Sequence, residues 1–229
     1  MLSDALWFVK RSDDWVATTI IGGVLSLLSV LILPAFILQG YFVRAMRAAA
    51  DGDRAAPSFT DWGGLLVDGL KLFVVTFVWA LVAIIPAVIL SAIIGLGTFT
   101  IVESTTSPGM APEPAGNIGF GIVTIVAGLL FFGLSLVAGY LIPAASANFA
   151  IEGNLGAGFD VRTILSGALT AEYAVAWLLA IVVAIVLGTV GSFLAVILVG
   201  VFVLFYVQVT TYYLWARGYA DGLAERSTL

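Results

Sequence analysis

The chain has 229 residues, 62% of them hydrophobic and only 10% charged, with a mean hydropathy of +1.15, whereas a soluble domain carries roughly 25% charged residues. Cysteine and histidine are both absent, which excludes disulfides, thiol chemistry, thiolate or imidazole metal sites and the usual general base. The formal net charge of −5 argues against nucleic acid as a partner.

Residues 1–14 read as an interfacial amphipathic helix, with Ser3 as a cap and Leu2, Leu6, Trp7 and Val9 as its apolar side. The transmembrane region, 15–218, follows. Its first helix is expected over 15–49 and contains Pro34, which should kink it by removing a backbone donor. Asp51-Gly52 ends that helix. The next apolar run, from Leu65 to Val102, is about twice as long as a bilayer core requires. It reads as an interfacial entry over 62–71 and a span over 72–95, with Gly95-Leu96-Gly97 as a place to end or bend; a re-entrant hairpin is the alternative. Glu103 to Asn117 is a polar, proline-rich loop without a basic residue. A third helix is expected over 118–150 and a fourth over 160–187. An apolar turn at 188–192 leads to a fifth helix over 192–218, before a polar tail, 219–229. The fold class is therefore all-α: one polytopic transmembrane bundle of about five spans, since backbone groups in lipid must be satisfied within each segment.

A partial internal repeat underlies this count. Arg47-x-x-x-Asp51-Gly52, Asn148-x-x-x-Glu152-Gly153 and Arg217-x-x-x-Asp221-Gly222 each follow a long apolar helix. The first and last pairs can face one another at i,i+4, with glycine as terminator. Three such ends place helices 1, 3 and 5 on one side. Small residues also recur at spacing four: Ala83, Ala87, Ser91 and Gly95 in helix 2, and Ala176, Ala180, Ala184 and Gly188 in helix 4. Such ridges let another helix approach closely, although alanine is common enough here to produce one by chance. They make helices 2 and 4 the expected packed centre.

Orientation follows from the basic residues. Arg44, Arg47, Arg54, Lys71, Arg162, Arg217 and Arg226 fall on one side of a five-span arrangement, and Lys10 and Arg11 on the other. This predicts an inside C-terminus and an outside N-terminus. If residues 15–43 turned back instead of crossing, both termini would lie inside.

No ionisable residue occupies a central membrane position, the place where a proton relay or intramembrane protease would carry one. No P-loop, dinucleotide fingerprint or Ser-Lys pairing occurs. The chain is thus expected to be no enzyme, with no cofactor and no metal. Gln39 and Gln208 precede Arg47 and Arg217 by similar distances, and Asn148 lies near the end of helix 3. These three mark a candidate polar cavity between helices 1, 3 and 5 for a solute or lipid headgroup; interhelical hydrogen bonding is the preferred explanation of them. Trp62, Trp215, Tyr41 and Tyr219 are expected in an interfacial aromatic belt.

From RSDDW through LILPAFILQGYFVRAMRAAADGDRAAPSFTDW, the chain resembles a family of polytopic membrane proteins of unknown function common in halophilic and methanogenic archaea. The shared features are the early Asp-Trp, Gly40-Tyr41 followed by Arg44 and Arg47, and the order Gly-Asp, Pro-x-Phe, Asp-Trp. The resemblance implies an archaeal cytoplasmic membrane and brings no ligand or catalytic residue. An acidic, lysine-poor composition fits a halophile, and a high-GC genome gives the same bias. The expected function is that of a non-catalytic membrane component, with the lipid bilayer and either a membrane-protein partner or a second copy of the chain as its surroundings. A permease built on the Gln39–Gln208 cavity is the alternative.

Overall fold

A computed structural model describes residues 1–105 and 114–227, with backbone alone for 87, 90, 91, 93–105, 114–120 and 227. Eight α-helices occur among these residues, and no strand: α1 Leu2–Phe8, α2 Trp15–Leu27, α3 Ile32–Asp51, α4 Trp62–Thr105, α5 Pro114–Glu152, α6 Val161–Ala168, α7 Ala171–Ala195 and α8 Val199–Ser227. The all-helical bundle expected from composition is what forms. Among the described residues four stretches are long and apolar enough to cross a membrane: Trp62–Pro86, Gly121–Glu152, Ala171–Ala195 and Val199–Arg226. Contacts divide the chain into two units, Met1–Phe77 with Tyr140–Leu229, and Val78–Gly139.

In the first unit α8 is the organising helix, packed against α1, α2, α3, α6 and α7. The final turns of α5 are also encased, with every residue from Pro143 to Ala150 buried. Besides α8 and the end of α5, the buried set includes Ala176 and Ala180 of α7, within the expected fourth helix. Close approach explains this. A Cβ on Gly218 would come within 2.2 Å of the Ala176 Cβ, and one on Gly167 within 2.4 Å of the Tyr219 ring. Gly222, expected as a terminator, is inside α8; a Cβ there would strike the Thr170 hydroxyl oxygen at 2.2 Å.

The largest departure concerns the first apolar segment. The expected single kinked helix over 15–49 is two helices, separated by a 3-10 turn at Leu28–Val30 and an extended Leu31 at φ −85°, ψ 136°. Pro34 falls in the first turn of α3, where a missing backbone N–H costs nothing because that donor has no intrahelical partner. At 13 residues, α2 is about 20 Å long, too short to cross a hydrocarbon core. Both arms lie along α8 at one depth. A Cβ on Gly22 would meet the Phe205 ring, while Tyr41 on α3 packs against the same ring at 5.6 Å. Residues 15–51 thus form a helical hairpin.

Both ends of that hairpin return to the same end of the unit. Phe8 packs on Tyr213 of α8 at 4.6 Å, and the Ala56 amide donates to the Phe8 carbonyl at 3.0 Å. Tyr206 donates from its hydroxyl to the Leu6 carbonyl. Contacts on α1 run through buried Ala5, Phe8 and Val9, while Leu2 and Trp7 of the expected apolar side stay exposed. Hence α1 shares an end of the unit with the C-terminal turns of α8, an arrangement that fits the alternative in which the first apolar segment turns back.

The three repeated motifs do converge there, two of them as helix ends and the third inside α8. Arg47 donates from Nε to the Ala150 carbonyl at 3.0 Å, and a Cβ on Gly52 would lie 3.1 Å from Arg217 Nη1. Gly52 and Gly153 take positive φ, 85° and 71°, as left-handed helix ends require. The i,i+4 pairing forms only as Arg217–Asp221, at 3.1 Å; Arg47 turns instead toward Asp68, at 4.0 Å. Arg44 fastens the start of α4 by pairing with Asp61 at 3.0 Å, and Asp61 caps that helix through Gly64 N–H at 3.1 Å.

Other boundaries move as well. Helix α4 continues through Gly95-Leu96-Gly97, and α7 continues through 188–192, so the turn falls at 196–198. The expected fourth helix is interrupted at Leu169-Thr170, where Thr170 caps α7 by accepting from Tyr173 N–H. Of the polar loop expected at Glu103–Asn117, residues 106–113 lie outside the described residues. Tyr41 and Tyr219 are fully buried and belong to the core. Tyr41 stacks on Phe59 at 4.1 Å, and Tyr219 donates to the Thr163 carbonyl at 3.0 Å.

Candidate functional site

Gln39 and Gln208 line one cavity of about 510 Å3, between α3 and α8, with Ala184 of α7 and Ser29 of the 3-10 turn on its margins. Register on two helices brings them together. Gln208, Tyr212 and Trp215 are spaced four and three apart, so they share one face of α8, and Gln39 and Phe42 are three apart on α3. Phe42 stacks on Tyr212 at 4.6 Å, and Tyr212 meets Trp215 edge-on at 5.1 Å. These rings make an aromatic wall.

No lining residue is charged, so the cavity offers amide and hydroxyl groups against an apolar background. The aliphatic hydroxyls there are already engaged: Thr211 donates to the Val207 carbonyl at 2.8 Å and Ser29 to the Ser26 carbonyl at 2.6 Å. Two buried polar atoms in lining residues have no hydrogen bond, Gln39 Oε1 and Trp215 Nε1. An unmade bond of this kind costs about 1–3 kcal/mol when the group is shut away from water. The site can therefore hold a neutral or weakly polar molecule.

Asn148 is elsewhere. Its Nδ2 donates to the Ala157 carbonyl at 2.8 Å, tying a 3-10 turn, Leu155–Phe159, back onto α5. With Glu152, Asn154, Asp160 and Thr163 it lines a separate crevice of about 400 Å3. Asp160, which caps α6, accepts from Thr163 N–H at 3.2 Å and from its hydroxyl at 2.7 Å; the Thr163 hydroxyl above all holds this carboxyl below the usual range. The three-residue cavity expected between helices 1, 3 and 5 is thus a two-glutamine cavity between α3, α7 and α8. An amide near a helix end serves the local turn first, because the turn's carbonyls need donors.

The small-residue ridges divide similarly. Ala176 and Ala180 are buried, Ala184 is exposed on the margin of the cavity, and a Cβ on Gly188 would meet nothing. Ala83 is half-buried; the side chains of Ala87, Ser91 and Gly95 lie outside the described residues. The closest helix crossing came from glycines outside either ridge. A Cβ on Gly40 would lie 1.8 Å from the Leu65 carbonyl oxygen, and one on Gly69 1.7 Å from that of Phe36. Backbones of α3 and α4 touch at that point.

Long apolar helices, buried helix ends and an uncharged cavity define a polytopic helical membrane protein. Residues 25–196 match the family model described as Protein of unknown function (DUF4013), and the chain belongs to that family. The match runs from within α2 to just beyond α7. No curated protein matches the chain. No solved structure matches it either.

Proposed function

We propose that this protein is a non-catalytic component of a membrane assembly, acting through helix packing in the cytoplasmic membrane of an archaeon, with an acidic composition that fits a halophile. The observation that carries the reading is the surface of α5. Within the apolar span Gly121–Glu152, the most hydrophobic window has none of its residues buried. Gly128 and Gly133 lie there with open space where a Cβ would stand. A glycine inside a helix costs roughly 0.5–1 kcal/mol relative to alanine, and in lipid that cost is offset when a second helix uses the gap. A partner helix accounts for both features. The basic end of the first unit faces the cytoplasm in this reading, because Lys10 and Arg11 join Arg44, Arg47, Arg54, Arg162, Arg217 and Arg226 at that end.

Purification of the full chain in a mild detergent tests the assembly. A stoichiometric membrane partner, or a defined oligomer of the chain, is expected. A monodisperse monomer, unchanged when Gly128 and Gly133 are replaced by Leu, would sink the reading.

A second reading, passage of a small uncharged solute or lipid, is favoured by Gln39 and Gln208 facing one cavity. Reconstituted liposomes should then show uptake that Gln39→Leu with Gln208→Leu abolishes. Identical flux in the double variant would rule it out.

A further inference from the structure

A second cavity, of about 640 Å3, opens where α1, the α1–α2 turn, the α3–α4 loop and α8 meet, and its lining is almost entirely charged. Three arginines enter it from three separate segments: Arg11, Arg54 and Arg217. Three carboxylates, Asp4, Asp53 and Asp221, line it too, so formal side-chain charge balances. What does not balance is the hydrogen bonding left over.

Arg217 commits Nε and Nη2 to Asp221, at 3.2 and 3.1 Å, which leaves Nη1. Arg11 places Nη1 and Nη2 on one oxygen of Asp4, at 3.1 and 3.2 Å, which leaves Nε. The other Asp4 oxygen faces the Met1 amino group at 3.4 Å. Among the described residues Arg54 makes no ion pair, and the Tyr213 hydroxyl makes no hydrogen bond. Unspent donors therefore come from all three arginines and a phenol, against a single unspent carboxylate, Asp53.

The loop that carries Arg54 is held in place. Gly52 N–H donates to the Ala49 carbonyl at 3.2 Å and Asp53 N–H to the Ala48 carbonyl at 2.9 Å, a closed helix end that fixes where the next residue leaves. Gly52 is at φ 85°, and its missing side chain leaves Arg217 Nη1 uncovered, since a Cβ would sit 3.1 Å from that nitrogen. Forked guanidinium donors and a phenol, converging where the helix ends meet, are the groups that recognise a phosphate.

We infer that this crevice binds a phosphate-bearing anion, with Arg54 and Arg217 as its principal ligands, Tyr213 as a supporting donor and Asp53 as an opposing charge. The phosphate can belong to an anionic lipid headgroup or to a free phosphate, and the two are separable by experiment.

Titration calorimetry on the purified full chain in a nonionic detergent would use short-chain phosphatidylglycerol and inorganic phosphate as probes. Saturable binding of at least one is expected. Arg54→Gln should weaken it about tenfold, the loss of one charge-assisted contact. Asp53→Asn should tighten it. Arg162→Gln, a basic residue outside the crevice, should leave it unchanged. Binding of the lipid probe alone assigns the site to a headgroup, and equal binding of inorganic phosphate assigns it to a soluble anion; either supports the site. Absence of saturable binding by both probes would overturn it, as would an Arg162→Gln loss equal to that of Arg54→Gln, which would mean bulk surface charge. Arg54 is exposed on a loop, and an unchanged melting transition of its variant confirms that folding is intact.

Discussion

Arg47 on α3 donates through Nε to the carbonyl of Ala150, 103 residues further along the chain, at 3.0 Å. This bond closes the first unit, because it joins the end of the helical hairpin to the end of α5. Ala150 is three residues before Gly153, so its carbonyl has no amide of its own helix to accept from. Replacing Arg47 with Met should keep most of the packing and lose the charge-assisted bond, at a cost of about 1.5–3 kcal/mol. Thermal unfolding in detergent would measure it. An unchanged transition would mean that solvent serves the carbonyl equally well.

Gly40 and Gly69 make a sharper test of packing. Their missing side chains allow contact between backbone atoms, which cannot rotate away as a flexible side chain can. Gly40→Ala and Gly69→Ala should each destabilise by about 1–3 kcal/mol or more through overpacking, seen as a lower melting temperature and poorer recovery of dispersed protein. Gly188→Ala, where a Cβ would meet nothing, should be neutral or slightly stabilising in the same assay.

Topology can be read directly in cells. Tags placed at the N-terminus and at the C-terminus should be protected or digested together when protease is added from outside. Opposite accessibility would restore a crossing by residues 15–51 and contradict the re-entrant alternative.

The docking of α1 should depend on pH at the acid end only. Arg11 beside Asp4, and secondarily the Met1 amino group, hold this carboxyl below its ordinary value of 3.8. A depressed folded value means that the contribution is fully present above 3.8 and is lost as the pH falls through the folded value. Trp7 is half-exposed on α1, so its fluorescence should stay constant from neutrality down to the ordinary carboxylate value and change only below it. Arg11→Gln should move that change upward. A shift near neutrality would point to a different group.

Much of the fold was legible because the bilayer makes it so. Where water is absent each segment must satisfy its own backbone, so a long apolar run such as 171–195 can only be helix. The glycine-terminated ends at Gly52 and Gly153 were equally readable, since a left-handed residue leaves few alternatives. Gly222 misled because a glycine permits close approach as readily as it permits a turn, and its neighbours along the chain do not say which. The candidate site was half legible. Gln39 and Gln208 were placed at matching depth by their distance from Arg47 and Arg217, whereas Asn148 was claimed by a turn that its own sequence did not announce. The aromatic wall could have been found from the spacing of Gln208, Tyr212 and Trp215.

By itself, then, the sequence determined the membrane class, the helical content and the two helix ends marked by Gly52 and Gly153. These follow from local apolar length, charge and backbone freedom. Only the tertiary structure decided that residues 15–51 turn back on themselves, that α8 is the centre and that Arg11, Arg54 and Arg217 share one crevice. Each of those depends on residues scores of positions apart competing for the same helix face. Pro34 illustrates the division: its sequence states that a backbone donor is missing, and the contacts of Gly22 and Tyr41 with Phe205 decide that the chain reverses there instead of bending.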